Sequence, residues 1–347
     1  MSETMNGYQR IIAALENRKP DTTPIMLHNF MMAAKEAGYS QHQYREDPKK
    51  IAESFIKAVE KYQYDGIVVD LDTVTLAGAV GVPIDFPEDV PARSHKGLIV
   101  DIKDTQKLKP INIENYKYIQ IWLEAVRLLK EYFTNQIYIR GNCDQAPFSL
   151  ASGIRTPEGF MMDLYQNQAL VIELLEYCSE ITCQFIRLMV ETEADMISNG
   201  DSPAGPEMIS PDFYRHYALP YEKRCVALAH TYNKPYTLHI CGDTALILED
   251  MIKTGADALE LDYKTDIFYT YKVCKDKVVY IGNLDPSGVL ALGKLEEVVS
   301  KTEQLLQVYT DSNRFILNAG CAIPAETPAE NLHAMIQTAR SFKNKRE

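Results

Sequence analysis

The sequence predicts an α/β protein folded as one (β/α)₈ TIM barrel, with residues 1–347 forming a single domain. Short runs of apolar, β-branched residues alternate with amphipathic stretches, which indicates βαβ units and a parallel sheet. The unit repeats eight times, as a closed barrel requires. A doubly wound open sheet is the alternative, but the sequence has no glycine-rich phosphate loop of the kind that usually marks that fold.

The eight runs predicted as strands each end in polar residues, and they span 24–28, 66–72, 137–142, 195–201, 236–241, 258–262, 278–283 and 315–318. Helical patterns lie between them, including 115–133, 169–193, 211–232 and 295–309. Segment 73–110 is long and rich in proline and glycine. We expect it to be an insertion over the barrel mouth after the second strand, not a linker between two domains.

Composition excludes several classes of partner. The net charge of −12 argues against nucleic acid and against an anionic membrane surface. No uncharged run approaches the roughly 18 residues of a membrane span, and the N-terminal residues lack the apolar core of a signal peptide. The seven cysteines are scattered along the chain, which argues against a disulfide framework and favours a cytoplasmic location. Four of them lie within helical patterns and are predicted core thiols: Cys178, Cys183, Cys225 and Cys274.

The fifth predicted strand places chemically useful side chains at the barrel mouth. Side chains alternate along a strand, so Thr237, His239 and Cys241 share one face while Leu238 and Ile240 share the other. The apolar pair must face the surrounding helices. We therefore expect His239 and Cys241 to point into the mouth, where catalytic groups of such barrels lie.

Other strand ends supply further candidates. Alternation places Glu260 and Asp262 on the inward face of the sixth strand. We expect one of them, with Glu260 as the first candidate, to bind a metal ion at the mouth or to hydrogen-bond one of the side chains that hold it. A salt bridge inside the barrel is the alternative. Asp201 is a further catalytic or supporting candidate, and three residues are predicted to bind substrate: His28, Asp70 and Asn199. Turn chemistry predicts helix caps at three more positions: Asp144, Asp243 and Asp285.

A third ligand is predicted after the eighth strand, where Cys321 lies in a glycine-led loop. With His239 and Cys241 it forms a Cys₂His set, which suits zinc and leaves a fourth position open, as in catalytic sites. Strands five and eight are not neighbours, so this loop has to lean across the mouth. From the residues alone, a zinc site and a set of core side chains both remain open.

Four stretches of the sequence read DMISNGD at 195–201, HICGDT at 239–244, IGNLDP at 281–286 and NAGCAIP at 318–324. In these stretches the chain resembles the uroporphyrinogen decarboxylase superfamily. It resembles more closely the zinc-dependent methyltransferase branch, which contains the methylcobamide:coenzyme M methyltransferases and related corrinoid-linked demethylases. The resemblance covers nearly the whole chain. It implies a (β/α)₈ barrel and the zinc ligands His239, Cys241 and Cys321.

Departures from the decarboxylase favour the methyltransferase branch. Segment 28–39 has no arginine, whereas the decarboxylase carries an arginine-rich motif there, and Lys35 cannot replace it. The decarboxylase also has a histidine where this chain has Cys321, and it needs no metal. The resemblance therefore implies zinc-dependent methyl transfer between a corrinoid and a small substrate, such as the thiol coenzyme M or an aryl methyl ether.

The corrinoid is expected to arrive on a partner protein. The D-x-H-x-x-G signature of a cobalamin-binding domain is missing from the sequence, so the partner would dock at the carboxyl-terminal face of the barrel. Two alternatives to the methyltransferase stay open at this point. The chain could be a uroporphyrinogen decarboxylase, or a barrel that binds metal or tetrapyrrole without catalysis.

Overall fold

The computed structural model describes residues 4–342 and contains one sheet of eight parallel strands in chain order. We number these strands β1 (Met26–Leu27), β2 (Gly66–Val69), β3 (Tyr138–Gln145), β4 (Met196–Gly200), β5 (Tyr236–Ile240), β6 (Ala258–Leu261), β7 (Val279–Leu284) and β8 (Phe315–Ala319). A parallel bridge between Ile25 and Leu317 joins the two edges of the sheet. The predicted (β/α)₈ barrel is confirmed.

Five of the predicted strand ranges contain the whole observed strand. The third, seventh and eighth strands extend beyond the predicted ranges. Strand β3 continues three residues beyond the predicted Asn142, to Gln145, and its register with β4 shifts between these two residues. The polar side chains that suggested an earlier end do not interrupt the backbone ladder, because main-chain pairing does not depend on side-chain polarity. The extension carries Gln145 to the mouth.

Helices surround the barrel. The α-helices span Gly7–Leu15, Phe30–Ala37, Gln41–Glu46, Pro48–Tyr62, Thr75–Ala79, Lys117–Phe133, Pro147–Arg155, Pro157–Gln166, Gln168–Val190, Pro211–Phe213, Leu219–Thr231, Leu248–Ile252, Ile267–Cys274, Leu295–Val308 and Ala329–Ser341. Shorter 3₁₀ turns lie at Ile102–Lys107 and Ser202–Ala204, and π-helical turns at Tyr214–Ala218 and Pro286–Ala291. Within the described residues, no helix is long and apolar enough to span a membrane.

The insertion after β2 is present. It contains the helix Thr75–Ala79, a small hairpin of Ile84–Asp85 with Arg93–Ser94, and the 3₁₀ turn Ile102–Lys107. Pro91, in the hairpin loop, lines a cavity at the barrel mouth. Residues 1–3 and 343–347 of the predicted single domain lie outside the described residues, and the single-domain assignment stays a prediction.

The hydrophobic core has two parts. One lies between strands and helices and includes Leu238, Ile240 and three of the thiols predicted as core, Cys178, Cys225 and Cys274. The fourth, Cys183, is buried as well. The other fills the amino-terminal end of the barrel, where helix Gly7–Leu15 contributes Ile11 and Ala14. Inward side chains of the strands complete this second core: Met26, Val68, Tyr138, Met196, Ala258, Val279, Ile281 and Ile316. Each large apolar side chain buried this way stabilises the fold by about 1.5–3 kcal/mol.

The three predicted helix caps have different outcomes. The Asp285 carboxylate accepts hydrogen bonds from the N–H groups of Ser287 and Gly288, so this cap is confirmed. Asp243 accepts from Ala245 N–H in a turn that precedes the next helix. The prediction for Asp144 is wrong, because its buried carboxylate accepts instead from Leu76 N–H in the insertion. Strand β3 aims it across to a neighbouring segment, which local turn preferences do not reveal.

Candidate metal centre

A cluster of one imidazole and two thiols lies at the carboxyl-terminal end of the barrel. One ligand atom each from His239, Cys241 and Cys321 lies within 4.8 Å of the others. The distances are 3.0 Å from His239 Nε2 to Cys241 Sγ and 3.7 Å from Cys241 Sγ to Cys321 Sγ. His239 is buried, and the two cysteines are partly exposed.

Strand β5 positions two members of this cluster. Leu238 and Ile240 pack into the core against the helices, so alternation turns His239 inward. Cys241 follows the strand, and Gly242 after it has φ +84°, a left-handed conformation that glycine adopts without a steric penalty. This turn leaves the Cys241 side chain at the mouth, beside the histidine.

A close backbone approach brings the third member across the barrel. Cys321 follows β8, three strands away from β5 in the sheet. Its neighbour Gly320 packs against the loop after β6, where a Cβ atom on residue 320 would lie 2.5 Å from Tyr263 N. Only glycine permits this contact, and the contact allows the loop to place Cys321 beside Cys241.

The histidine is oriented as a ligand through Nε2. Its Nδ1 lies 3.0 Å from the main-chain carbonyl oxygen of Glu260, and since a carbonyl only accepts, Nδ1 is the donor. This bond directs Nε2 at the thiol of Cys241. Metal-bound histidines use the same arrangement, in which the second ring nitrogen donates to a carbonyl or carboxylate. The donor set and its orientation therefore fit zinc.

The electrostatics of the cluster favour deprotonation of one thiol. A hydrogen bond from Cys321 and the charge of His239 outweigh burial and lower the pKa of Cys241 to about 3. That hydrogen bond, together with burial, raises the pKa of Cys321 well above its usual value. Burial lowers the pKa of His239, but the Cys241 thiolate dominates and raises it to about 9.

Glu260 lies behind the histidine in a buried polar layer. Its carboxylate receives hydrogen bonds from Arg140 Nη2 at 2.7 Å and Asn318 Nδ2 at 2.6 Å. Burial raises the pKa of Glu260, but the Arg140 and His239 charges reverse this effect and hold the pKa at about 2. The carboxylate makes the salt bridge that was the alternative for this residue, and one oxygen lies 3.9 Å from His239 Nδ1.

Asp262 contacts the backbone next to the cluster. Its Oδ2 accepts a hydrogen bond of 2.9 Å from Gly242 N–H, immediately after Cys241. Its Oδ1 accepts from Lys264 N–H at 3.2 Å, which steadies its own loop. Asp262 thus ties the loop after β6 to the turn that carries Cys241.

A cavity of about 290 Å³ opens beside the cluster, close to the smallest size of ligand pockets. Its described wall contains the three cluster residues together with His28, Phe30, Met31, Val68, Asp70, Asp72, Thr73, Pro91, Arg140, Asn142, Asp144, Gln145, Gly200, Ser202, Glu260 and Ala322. His28 Nε2 lies 2.7 Å from Asp70 Oδ2, so these two predicted substrate-binding residues form one pair in the wall. Their role toward substrate stays a prediction.

Two predicted site residues point away from this cavity. Asn199 Nδ2 donates to the Cys143 carbonyl, and its Oδ1 accepts from Tyr236 Oη, between strands and helices. Asp201 accepts hydrogen bonds from Ser149 N–H and Oγ. The structure therefore corrects the expectation that Asn199 and Asp201 reach the site.

The alternation of side chains along β4 explains why Asn199 and Asp201 point away. Met196, Ser198 and Gly200 face inward, so Asn199 faces outward with Ile197. Both Met196 and Ile197 are apolar, so hydrophobicity alone does not show which of the two faces the barrel. Asp201 follows the outward set.

Arg140 lines the cavity, although it is not among the site residues predicted from the sequence. It lies on β3 between the inward residues Tyr138 and Asn142. Period-two alternation was a sufficient signal, because Ile139 and Cys143 form the apolar outward face of this strand. Its charge is neutralised by Glu260.

The protein is thus a parallel (β/α)₈ barrel that carries a cluster of one imidazole and two thiols at the carboxyl ends of its strands. The chain belongs to the uroporphyrinogen decarboxylase (URO-D) family, whose model matches residues 6–342. The methylcobamide:CoM methyltransferase MtbA of Methanosarcina acetivorans is 34% identical over 251 residues, which cover 72% of this chain and 71% of that protein. The family resemblance predicted from the sequence motifs is confirmed.

More distant relatives include both branches of the family. The methylcobamide:CoM methyltransferase MtaA of Methanosarcina barkeri is 24% identical over 335 residues, 94% of this chain and 95% of that protein. A uroporphyrinogen decarboxylase of Rickettsia africae is 26% identical over 310 residues, 86% of this chain and 85% of that protein. A solved methyltransferase from Methanosarcina mazei superposes with a TM-score of 0.89 at 22% identity, covering 97% of this chain and 99% of that one. This superposition supports the barrel fold.

Proposed function

We propose that this protein is a zinc-dependent enzyme that moves a methyl group between a corrinoid protein and a small substrate. One observation carries the proposal: the ligand atoms of His239, Cys241 and Cys321 lie within 4.8 Å of one another beside a cavity. Relatives that cover most of the chain and are methylcobamide:CoM methyltransferases support it.

In this proposal, Cys241 and Cys321 would hold zinc as thiolates and His239 would hold it through Nε2. The two thiolates would neutralise the charge of the ion, and all three residues line the cavity. Bound zinc supplies a Lewis acid that lowers the pKa of a substrate thiol or polarises an ether oxygen. The Glu260 carbonyl holds the imidazole in place, and Asp262 holds the turn that carries Cys241.

For a thiol acceptor, the partner's corrinoid would supply the methyl group. The substrate sulfur would lose its proton to solvent and bond to the methyl carbon, while the carbon–cobalt bond would break and leave its electron pair on cobalt. His28 and Asp70 lie in the cavity wall and would contact the small substrate. A methylated donor such as an aryl methyl ether would use the same site in the opposite direction.

Decarboxylation of uroporphyrinogen fits the cavity less well. That substrate carries several carboxylates, which require cationic partners. The described cavity wall contains three basic side chains. Arg140 and His28 each already contact a carboxylate, and His239 is a proposed zinc ligand. The corrinoid protein would dock over the carboxyl-terminal mouth, because the cluster opens there. We propose a cytoplasmic location, which keeps the thiols reduced.

The proposal is tested by metal analysis and a methyl-transfer assay. Purified protein should contain about one zinc per chain, since it has one such ligand set. Incubation with methylcobalamin and a small thiol should convert the methylated corrinoid to the reduced form, which is followed by absorbance. Cys321→Ala should lose both properties and remain folded, and Cys274→Ala is the matched control. Full activity of a zinc-free protein would contradict the proposal.

A further inference from the structure

The charged groups around the cavity form an internally paired set. The described wall contains three basic side chains, from His28, Arg140 and His239, and four acidic ones, from Asp70, Asp72, Asp144 and Glu260. His239 is one of the three proposed zinc ligands. Whether an ionic substrate is accepted depends on which of the other groups remain available to it.

Arg140 is buried beside the cavity and is paired with Glu260. Its Nη2 donates to Glu260 at 2.7 Å, and the side chains of both residues are at most 2% exposed. Its Nε and Nη1 have no hydrogen-bond partner among the described residues, and both atoms are buried from solvent. An anion in the open part of the cavity would therefore contact no exposed guanidinium edge.

The second basic group is also occupied. His28 Nε2 lies 2.7 Å from Asp70 Oδ2, and His28 Nδ1 is buried. Any positive charge on this imidazole is matched by the Asp70 carboxylate at once. A ligand anion at this wall would face Asp70 and pay electrostatic repulsion for the contact.

The remaining two carboxyl groups add no positive charge to the wall. Asp72 accepts from Arg45 Nε at 3.0 Å behind the cavity, where both side chains are buried. Burial, and the nearby charge of Asp72, raise the pKa of Asp144 well above its usual value, which favours its neutral form. Apolar groups fill much of the rest of the wall: Phe30, Met31, Val68, Pro91 and Ala322.

We infer that the small substrate carries no anionic head group, and that this cavity selects uncharged molecules over sulfonates or carboxylates of the same size. The inference rests on the proposed function, because it concerns the substrate at the proposed zinc. Burying an unpaired anion beside apolar groups and carboxylates is unfavourable. Coenzyme M, a sulfonated thiol, would then be a poor substrate for this chain, although relatives are named for it.

Two thiols of matched shape test the inference. Coenzyme M and 2-(methylsulfonyl)ethanethiol have the same carbon chain, and a neutral methyl sulfone replaces the sulfonate in the second. Binding of each to the zinc-loaded full chain is measured by isothermal titration. We expect the neutral thiol to bind at least about 10-fold more tightly, as one desolvated charge readily produces such a difference. Equal or tighter binding of coenzyme M would overturn the inference, as would binding of neither thiol.

Variants then assign the selectivity to the wall. Asp70→Asn removes the carboxylate that occupies His28, so the preference for the neutral thiol should shrink several-fold. The matched control is Glu303→Gln, an exposed carboxylate on the outer helix Leu295–Val308, which should leave the preference unchanged. An unchanged preference in Asp70→Asn would contradict the role given to this pair.

Methyl transfer from methylcobalamin to each thiol is followed in parallel. Tight binding of the neutral thiol without methyl transfer would contradict the proposed function and leave the selectivity standing. Methyl transfer accompanied by tight binding of coenzyme M would contradict the selectivity and leave the proposed function standing.

Discussion

The two ends of the barrel use the same eight strands for opposite purposes. At the amino-terminal end the inward side chains are apolar, and helix Gly7–Leu15 closes the opening with Ile11 and Ala14. At the carboxyl-terminal end most inward side chains are charged, polar or thiol-bearing, and together with apolar groups such as Val68 they surround a cavity. The change occurs within two residues of a strand, from Tyr138 to Arg140 on β3 and from Ala258 to Glu260 on β6.

This difference separates stability from chemistry along the barrel axis. The closed end removes apolar surface from water without exposing polar groups, so it stabilises the fold. The open end holds a buried ion pair and a thiol cluster, which are costly to bury and weak sources of stability. We therefore expect substitutions at the closed end to affect unfolding, and substitutions at the open end to affect metal binding and methyl transfer.

The largest effect is expected for His239→Ala. This change removes one of the three proposed ligands, so zinc binding and methyl transfer should fall by more than the roughly 10–100-fold typical of an outer partner of a metal ligand. Zinc analysis and the corrinoid absorbance assay measure the two losses, and thermal unfolding should show a folded barrel. Retained methyl transfer would remove the cluster from the mechanism.

At the closed end, Ile11→Ala should produce the converse result. Ile11 is fully buried in the inner core, and its truncation leaves a cavity that costs about 2–5 kcal/mol of unfolding free energy. Denaturant unfolding measures this loss. Zinc content per folded chain should stay the same, and a change in zinc affinity would show that the two ends are coupled.

Acid unfolding probes the polar layer between the two ends. The pKa of Glu260 is about 2 in the folded protein, below its usual value of 4.5, mainly because the Arg140 charge outweighs burial. The resulting stability, about 3 kcal/mol by linkage, is fully present above pH 4.5 and is lost as the pH falls toward 2. Unfolding free energies from pH 5 to 2 should therefore fall less steeply in Glu260→Gln. An identical slope in both proteins would show that Glu260 is not the titrating group.

The smallest effect is expected for a thiol outside the cluster. Cys178 is fully buried in the core between helices and strands. Cys178→Ala should cost about 1 kcal/mol, the middle of the range for point substitutions, and should leave zinc content unchanged. The comparison with Cys321→Ala separates a thiol that packs from one proposed to bind metal. Loss of zinc in Cys178→Ala would contradict this prediction, because zinc content would then not distinguish the two thiols.

Local rules were sufficient for much of the fold and part of the site. Strand and helix alternation predicted the barrel, since each element must bury one apolar face against its neighbours. Alternation along β5 oriented His239 correctly because Leu238 and Ile240 are unambiguously apolar. The same rule gives no answer on β4, where Met196 and Ile197 are both apolar and either face suits the barrel.

Only the tertiary structure decided which distant groups meet. Cys321 approaches Cys241 because Gly320 packs closely against the loop after β6, a contact between segments far apart in the chain. The pairing of Arg140 with Glu260 likewise joins β3 to β6 across the barrel interior. A strand's own sequence determines which way its side chains point, because alternation is local. The distances across the mouth depend on how all eight strands close, which no single strand encodes.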